Sequence, residues 1–268
     1  EENPIYKLSW IMPILIFPLF GGIFYIIYRQ QNFSKKVLSR FIGIDRDRMH
    51  HVKDIKNTLG NKTSNYLSQL NWPVYQNTKT TFLNAGEVMY QTMLRDLWKA
   101  KSFIFLEFFI INKGIMWDNI LQILVEKAKE GVEIKLIYDD FGSSTLPYRY
   151  HKHLKRLGID AVPFNPMRLH LNFAMNYRDH RKIVVIDGKI GYTGGINIGD
   201  EYINRIQPFG HWLDAGIRIE GDAVWSLSLC FLENYRFQTN KHIDYLFYKR
   251  PQVVQSDGYV APFNDTPL

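Results

Sequence analysis

Cysteine is almost absent from these 268 residues: the single one, Cys230, excludes an intrachain disulfide and any zinc site built on cysteine pairs. No credible cluster of metal ligands stands in its place, and no cofactor is expected. Acidic residues are the minority charge. The 26 Asp and Glu against 33 Lys and Arg leave a net charge of +7 and an isoelectric point near 9.3. That balance favours an anionic partner, whether nucleic acid, an acidic membrane surface or a phosphate-bearing substrate, with a plain basic surface as the alternative. With 46% hydrophobic and 15% aromatic residues, the chain is too apolar to be disordered.

Charge is missing altogether from Leu8 to Tyr28, 21 residues in a row. At about 1.5 Å per residue this run matches the ~30 Å hydrocarbon layer, so a transmembrane helix is expected. Pro13, Pro18, Gly21 and Gly22 are tolerated in such helices, and Tyr6, Trp10, Tyr25 and Tyr28 sit near its ends as interfacial aromatics do. A signal peptide fits poorly, because Glu1 and Glu2 lead the run. Arg29, Lys35, Lys36, Arg40, Arg46 and Arg48 follow it, against Lys7 alone before it. The positive-inside rule therefore puts everything after Tyr28 in the cytoplasm. An outside N-terminus implies an earlier membrane helix. The chain, which does not start with Met, reads as a piece open at both ends.

Residues 29–78 read as a polar juxtamembrane linker with one or two short helices, and an α/β alternation follows. Strands are expected at Thr80–Leu83, Ser102–Ile111, Val132–Tyr138, Lys182–Ile186 and Ala215–Ile219. Helices are expected at Gly86–Ala100, Trp117–Gly131, Tyr148–Leu157 and Ala223–Tyr235. The fold class is a sheet covered by helices.

The chemistry sits in His180-Arg181-Lys182-Ile183-Val184-Val185-Ile186-Asp187, followed by Gly194-Gly195-Ile196-Asn197. On a strand, residues two apart share a face, so His180 and Lys182 point the same way. Asp187 lies seven residues from His180 and points to the other face. It is counted with the motif's catalytic set but is expected to hold the strand or the turn after it. His153-Leu154-Lys155 with Asp160 has the same bare spacing. It falls on a helix, where residues two apart do not share a face, and no Gly-Gly-x-Asn follows it. It reads as solvated basic surface. Of the other histidines, only His170 and His211 merit watching.

A neutral imidazole can attack a phosphodiester and form a covalent phosphoryl–histidine. Lys182 and Asn197 supply the cation and the donor that the nonbridging oxygens need, with Gly195 beside them as a substrate-binding position. The segment resembles the HKD motif of the phospholipase D superfamily. More of the chain resembles the N-terminal half of bacterial cardiolipin synthases: the apolar run, Leu106-Glu107-Phe108-Phe109-Ile110, Tyr138-Asp139-Asp140-Phe141-Gly142-Ser143, Trp212-Leu213-Asp214 and Arg218-Ile219-Glu220-Gly221.

The resemblance implies a first phospholipase D-like catalytic domain over 79–250, after a transmembrane segment (1–28) and the linker (29–78). Residues 251–268 would begin the connection to a second domain. Family members carry two such motifs and this chain carries one, so the second His-Lys-Asn set must come from a missing domain or a second protomer. The resemblance further implies that Asp214, on the strand after the motif, orients His180; a surface strand-end acid is the other reading. Glu107 is a second acid for the pocket, or else part of a buried salt bridge. Asp139 and Asp140 end a strand before a glycine and are either site or turn acids. The activity expected is a membrane-anchored phosphatidyltransferase making cardiolipin and glycerol from two phosphatidylglycerols. Its rivals are a hydrolase of the same superfamily and a catalytically silent lipid-binding module. No nucleic-acid partner is expected.

Overall fold

The protein is described by a computed structural model covering residues 4–29, 35–52, 55, 62–70, 72–166, 178–250, 252 and 254–264. Its frame is a seven-stranded mixed sheet. The strands are β1 (Thr78–Leu83), β2 (Phe103–Phe108), β3 (Glu133–Asp139), β4 (Ile159–Phe164), β5 (Ile183–Ile186), β6 (Ile190–Gly194) and β7 (Gly216–Gly221). They lie in the order β1-β7-β6-β5-β2-β3-β4. β2, β3 and β4 run parallel, joined by helical crossovers, and the other pairs are antiparallel.

Helices cover both faces. On one side α5 (Gly86–Trp98), α6 (Ile115–Lys129) and α7 (Tyr150–Arg156) pack on Ile104, Leu106, Phe108, Val184 and Ile186. On the other, α8 (Val224–Thr239) packs on Phe103, Phe105, Ile183 and Val185. The continuous apolar runs of β2 and β5 follow from this, since a strand buried on both faces has no polar alternation. Two strands do not stand out in the sequence. β4 alternates buried and half-buried residues and ends on Pro163-Phe164, as an edge strand can. β6 hides in the glycine-rich run, where Gly191 leaves room for Leu227 and Ile219.

The uncharged N-terminal run is not one helix. It forms α1 (Pro4–Ile16) and α2 (Pro18–Arg29), of 13 and 12 residues, each about 20 Å long at 1.5 Å per residue. No helix among the described residues is long and apolar enough to cross a membrane. Pro18 lacks the N–H that a continuing helix would donate, and its ring crowds the carbonyl four residues back. The chain turns back at Phe17. Gly21 then meets the backbone of Pro13 and Ile14, where a Cβ would lie 2.5 Å from the Pro13 oxygen. The rings of Trp10 and Tyr25 meet at 5.9 Å, although they were expected at opposite ends of a span. Ile11, Leu15, Phe17, Leu19, Phe20 and Ile26 are exposed.

The 29–78 segment contributes α3 (Lys35–Val52) and α4 (Lys62–Gln69). The end of α3 rests on α8 through an Arg48–Glu233 ion pair at 3.6 Å, an Asp47–Arg236 pair, and a bond from the Trp225 indole to the His51 carbonyl. Beyond the 3-10 turn Tyr245–Tyr248, the chain returns to β1: Tyr75 and Val260 exchange two backbone bonds, and Ser256 brackets Thr78.

Asp187 sits at φ 52° in the turn after β5. Its carboxylate accepts from the N–H groups of Lys101, Ser102 and Phe103 at 2.8, 2.6 and 3.0 Å. It therefore starts β2, the neighbouring strand. Asp187→Ala strips three donors of their acceptor and should destabilise the fold by about 2–3 kcal/mol, read as a lower denaturant midpoint. Asp187→Asn, which keeps one acceptor oxygen, should lose less.

Candidate active site

The extended run from 179 to 182 leads into β5 and divides its side chains between two faces. His180 and Lys182 point to one side, as their spacing predicts. Asp179 and Arg181 point to the other, toward α8. There Arg181 Nε donates to Asp179 at 3.0 Å and pairs with Glu107, whose oxygen lies 2.8 Å away. The Asn234 amide on α8 donates to the same two acids at 3.0 and 2.9 Å. Glu107 is completely buried. Burial first, opposed by Arg181 and reinforced by Asp179, raises its pKa well above the ordinary value. Asp179 titrates low, because Arg181 and Glu107 outweigh its burial. The cluster thus sets two acids, one titrating high and one low, around one guanidinium. Glu107 is a member of this buried ion cluster and does not line the His180 pocket, because its position on β2 gives it the α8 face, shared with Phe105.

On the opposite side, His180 is exposed and Lys182 is buried. Lys182 Nζ lies 3.0 Å from His180 Nδ1 and donates to the His180 carbonyl at 2.6 Å. Burial, only partly offset by Asp179 and Asp214, lowers the Lys182 pKa to about 8. Burial and the Lys182 charge lower that of His180, against the pull of Asp179 and Asp139. The imidazole is therefore neutral at pH 7, with Nδ1 facing an ammonium donor and the ring proton on Nε2.

Phe109 connects the parts of the site. Its ring lies 4.7 Å from the His180 ring and 5.6 Å from Lys182 Nζ. Asn197 holds the next residue, accepting from Ile110 N at 3.0 Å while donating to Tyr202 Oη at 3.1 Å. Its amide keeps a second N–H for another acceptor. Asp139, at the carboxyl end of β3 and fully buried, accepts from Phe141 N, Gly142 N and Asp179 N at 3.0, 2.9 and 3.3 Å. It ties the turn under Phe109 to the residue before His180. Gly142 passes so close to Phe109 that a Cβ would lie 2.2 Å from its carbonyl oxygen.

Asp214 is not bonded to His180 among the described residues. Its carboxylate accepts from Ala215 N at 2.8 Å and lies over Gly195, where a Cβ would meet it at 2.1 Å. It favours the charged form of Lys182. Gly195 therefore gives the Asp214 carboxylate its space. His153 and Lys155 are exposed on α7, with Leu154 between them buried. His170 lies outside the described residues, and His211 lowers the pKa of Glu87, behind the Asn204 bond in importance. Sequence reasoning overlooked Asp179, Arg181 and Asn234. Two charges flanking a histidine on a strand with apolar surroundings were the available signal.

A mixed sheet that presents a histidine and a lysine on the run leading into β5, linked through Phe109 and Ile110 to the asparagine of a Gly-Gly-x-Asn segment, is a phospholipase D-like domain. Residues 93–208 match the family model described as cardiolipin synthase, PLD-like domain, and residues 2–30 match the phospholipase D-nuclease N-terminal model. The chain is 34% identical to a cardiolipin synthase of a Geobacillus species, over 96% of this chain and 54% of the relative. It is 35% identical to the cardiolipin synthase of Halalkalibacterium halodurans, over 97% and 54%, and 38% identical to an uncharacterized protein of Streptococcus mutans, over 97% and 59%. The chain carries the PLD-like domain of the cardiolipin synthase family. It spans between 54% and 59% of the length of these relatives.

Two measurements check these assignments. Glu107→Gln should cost less than about 1 kcal/mol, because the raised pKa shifts the native group toward its neutral form, whereas Arg181→Met should cost about 3 kcal/mol by stranding Asp179. Folded Glu107 keeps its proton where the unfolded group has lost it. Its contribution therefore worsens as pH rises above the ordinary value of 4.5, and the Gln variant should gain on the native protein over that range. Lys182 should lose its charge as pH passes about 8, read as a titration of its side-chain NMR signal.

Proposed function

We propose that this chain is the first half of a membrane-anchored phosphatidyltransferase that converts two phosphatidylglycerols into cardiolipin and glycerol. The observation that carries the reading is the neutral His180 imidazole at 3.0 Å from the Lys182 ammonium, joined through Phe109 and Ile110 to Asn197.

An arriving phosphodiester competes for Lys182. Once the ammonium turns to a nonbridging oxygen, Nδ1 is free to take the ring proton and Nε2 gains the lone pair for attack. Of the acids near the ring, Asp139 and Asp179 already favour the protonated imidazole. Asp214 lies by Lys182 and can take up the Nδ1–H after a modest turn of the ring. The N–P bond forms as the P–O bond to glycerol breaks, and the leaving alkoxide takes a proton from the histidine of the second motif. The hydroxyl of a second phosphatidylglycerol gives its proton back to that histidine, attacks phosphorus and releases His180. The second motif belongs to a further domain or a second protomer.

The apolar helices α1 and α2 serve as the membrane attachment, with the domain on the cytoplasmic side where the cations after Tyr28 meet an anionic leaflet. Hydrolysis differs only in the acceptor, since water can discharge the same intermediate. Radiolabelled phosphatidylglycerol supplied to the full-length protein should yield cardiolipin and glycerol. Phosphatidic acid without cardiolipin would reassign the protein to the hydrolases. His180→Ala should lower transfer by about a thousandfold or more, and retained transfer would remove His180 as the nucleophile.

A further inference from the structure

We propose that the loop 205–213 inserts into the lipid surface beside the catalytic end, with Phe209 and Leu213 as the penetrating side chains. The inference rests on the reading that the substrate is a bilayer phospholipid. The loop has a fixed inner side. Asn204 accepts from Trp212 N at 2.6 Å, donates to Trp212 O at 3.0 Å and reaches Glu87 at 2.8 Å. The Trp212 ring packs on Tyr202 at 4.9 Å, and the Tyr202 hydroxyl accepts from Asn197. Arg205 N and Ile206 N both bond to the Asp200 carbonyl. The stem is thus built into the same structure that holds the catalytic asparagine.

The outer side is apolar and uncovered. Residues 205–211 are all exposed, with Ile206 at 52%, Phe209 at 85% and Leu213 at 82%. A turn closed by Gly210 N on the Gln207 carbonyl at 3.3 Å, with Gly210 at φ 88°, sets Phe209 at its tip. An anchored stem pays little ordering entropy on binding, so apolar area at the tip converts efficiently into affinity. Charge completes the match. Arg205 and His211 flank the apolar tip, no acidic residue lies between 202 and 213, and the chain as a whole carries +7. A basic rim around an apolar tip suits an anionic bilayer, with cations at the headgroups and rings below them. Leu213 is followed directly by Asp214, whose charge acts on Lys182. Penetration at Leu213 would therefore bring headgroup phosphates to the depth of the reacting groups and spare the enzyme lifting a lipid out of the bilayer.

The test compares two presentations of one substrate with the full-length protein. Phe209→Ser with Leu213→Ser should lower transfer on phosphatidylglycerol vesicles by about tenfold or more, as expected from two lost apolar insertions. The rate on monomeric short-chain phosphatidylglycerol should stay within about twofold, because no polar contact of the site is touched. Unchanged vesicle activity would overturn the proposal. So would an equal fall on both substrates, which would assign the loop to the second catalytic half. A readout independent of turnover separates this from the substrate reading. An environment-sensitive dye on Phe209→Cys should shift to the blue in phosphatidylglycerol bilayers, and the same dye on Lys99→Cys, on the exposed end of α5, should not. Absence of the shift at 209 overturns the insertion whatever lipid the enzyme consumes.

Discussion

The catalytic end of this domain depends on one buried arrangement, the Arg181 guanidinium held between Glu107 and Asp179 with Asn234 bonding both acids. On an extended chain, anchoring residues 179 and 181 on one face dictates where 180 and 182 go on the other. A one-residue slip would bury His180 against α8 and turn Arg181 into the site. Glu107, Asp179 and Asn234 are buried and Arg181 half-buried, and polar groups buried together are costly unless paired, so the set disfavours an alternative register. The raised pKa of Glu107 belongs to that pairing, since burial and the nearby Asp179 both oppose a second full carboxylate there.

The face that this anchoring presents is paired with itself. Lys182 is too buried to be an ordinary surface cation, and it bonds to the neighbouring histidine. Its lowered pKa and the lowered pKa of His180 have the same origin, burial without a dedicated counter-charge. An anion at this place would offset both shifts, the physical basis on which a phosphodiester substrate is proposed. Asp139 and Asn197 have a structural part beside any electrostatic one. Each pins a backbone segment, one under Phe109 and one after it, and so sets the wall along which the ring of His180 lies.

Legibility in the sequence followed how local each determinant is. The buried strands β2, β3 and β5 and the helices α5, α6 and α8 were readable from apolar runs and helical spacing. The shared face of His180 and Lys182 followed from strand period alone, and so did the separation of Asp187 from them. β4 and β6 were not readable. One is a half-exposed edge with a proline and the other is rich in glycine, and both become strands because a neighbour supplies the ladder bonds. The expected single N-terminal span gives way to two helices because Pro18 and Gly21 act together: the first breaks the hydrogen-bond ladder, and the second lets the returning chain approach closely.

By itself the sequence determined the chemical kind of the site, because a histidine and a lysine two apart on a strand before Gly-Gly-x-Asn share one face by covalent geometry. Only the tertiary structure decided what the acids do. Glu107, Asp139 and Asp214 are far apart in sequence from His180, and nothing local states which face or which partner each will meet. The fold gives Glu107 to Arg181, Asp139 to the backbone under Phe109 and Asp214 to the neighbourhood of Lys182. Asp139 and Asp214 also bond locally, to Phe141, Gly142 and Ala215, but the pairing of Glu107 with Arg181, of Asp139 with Asp179 N and of Asp214 with Lys182 comes from strand order and helix α8, that is, from residues tens of positions apart.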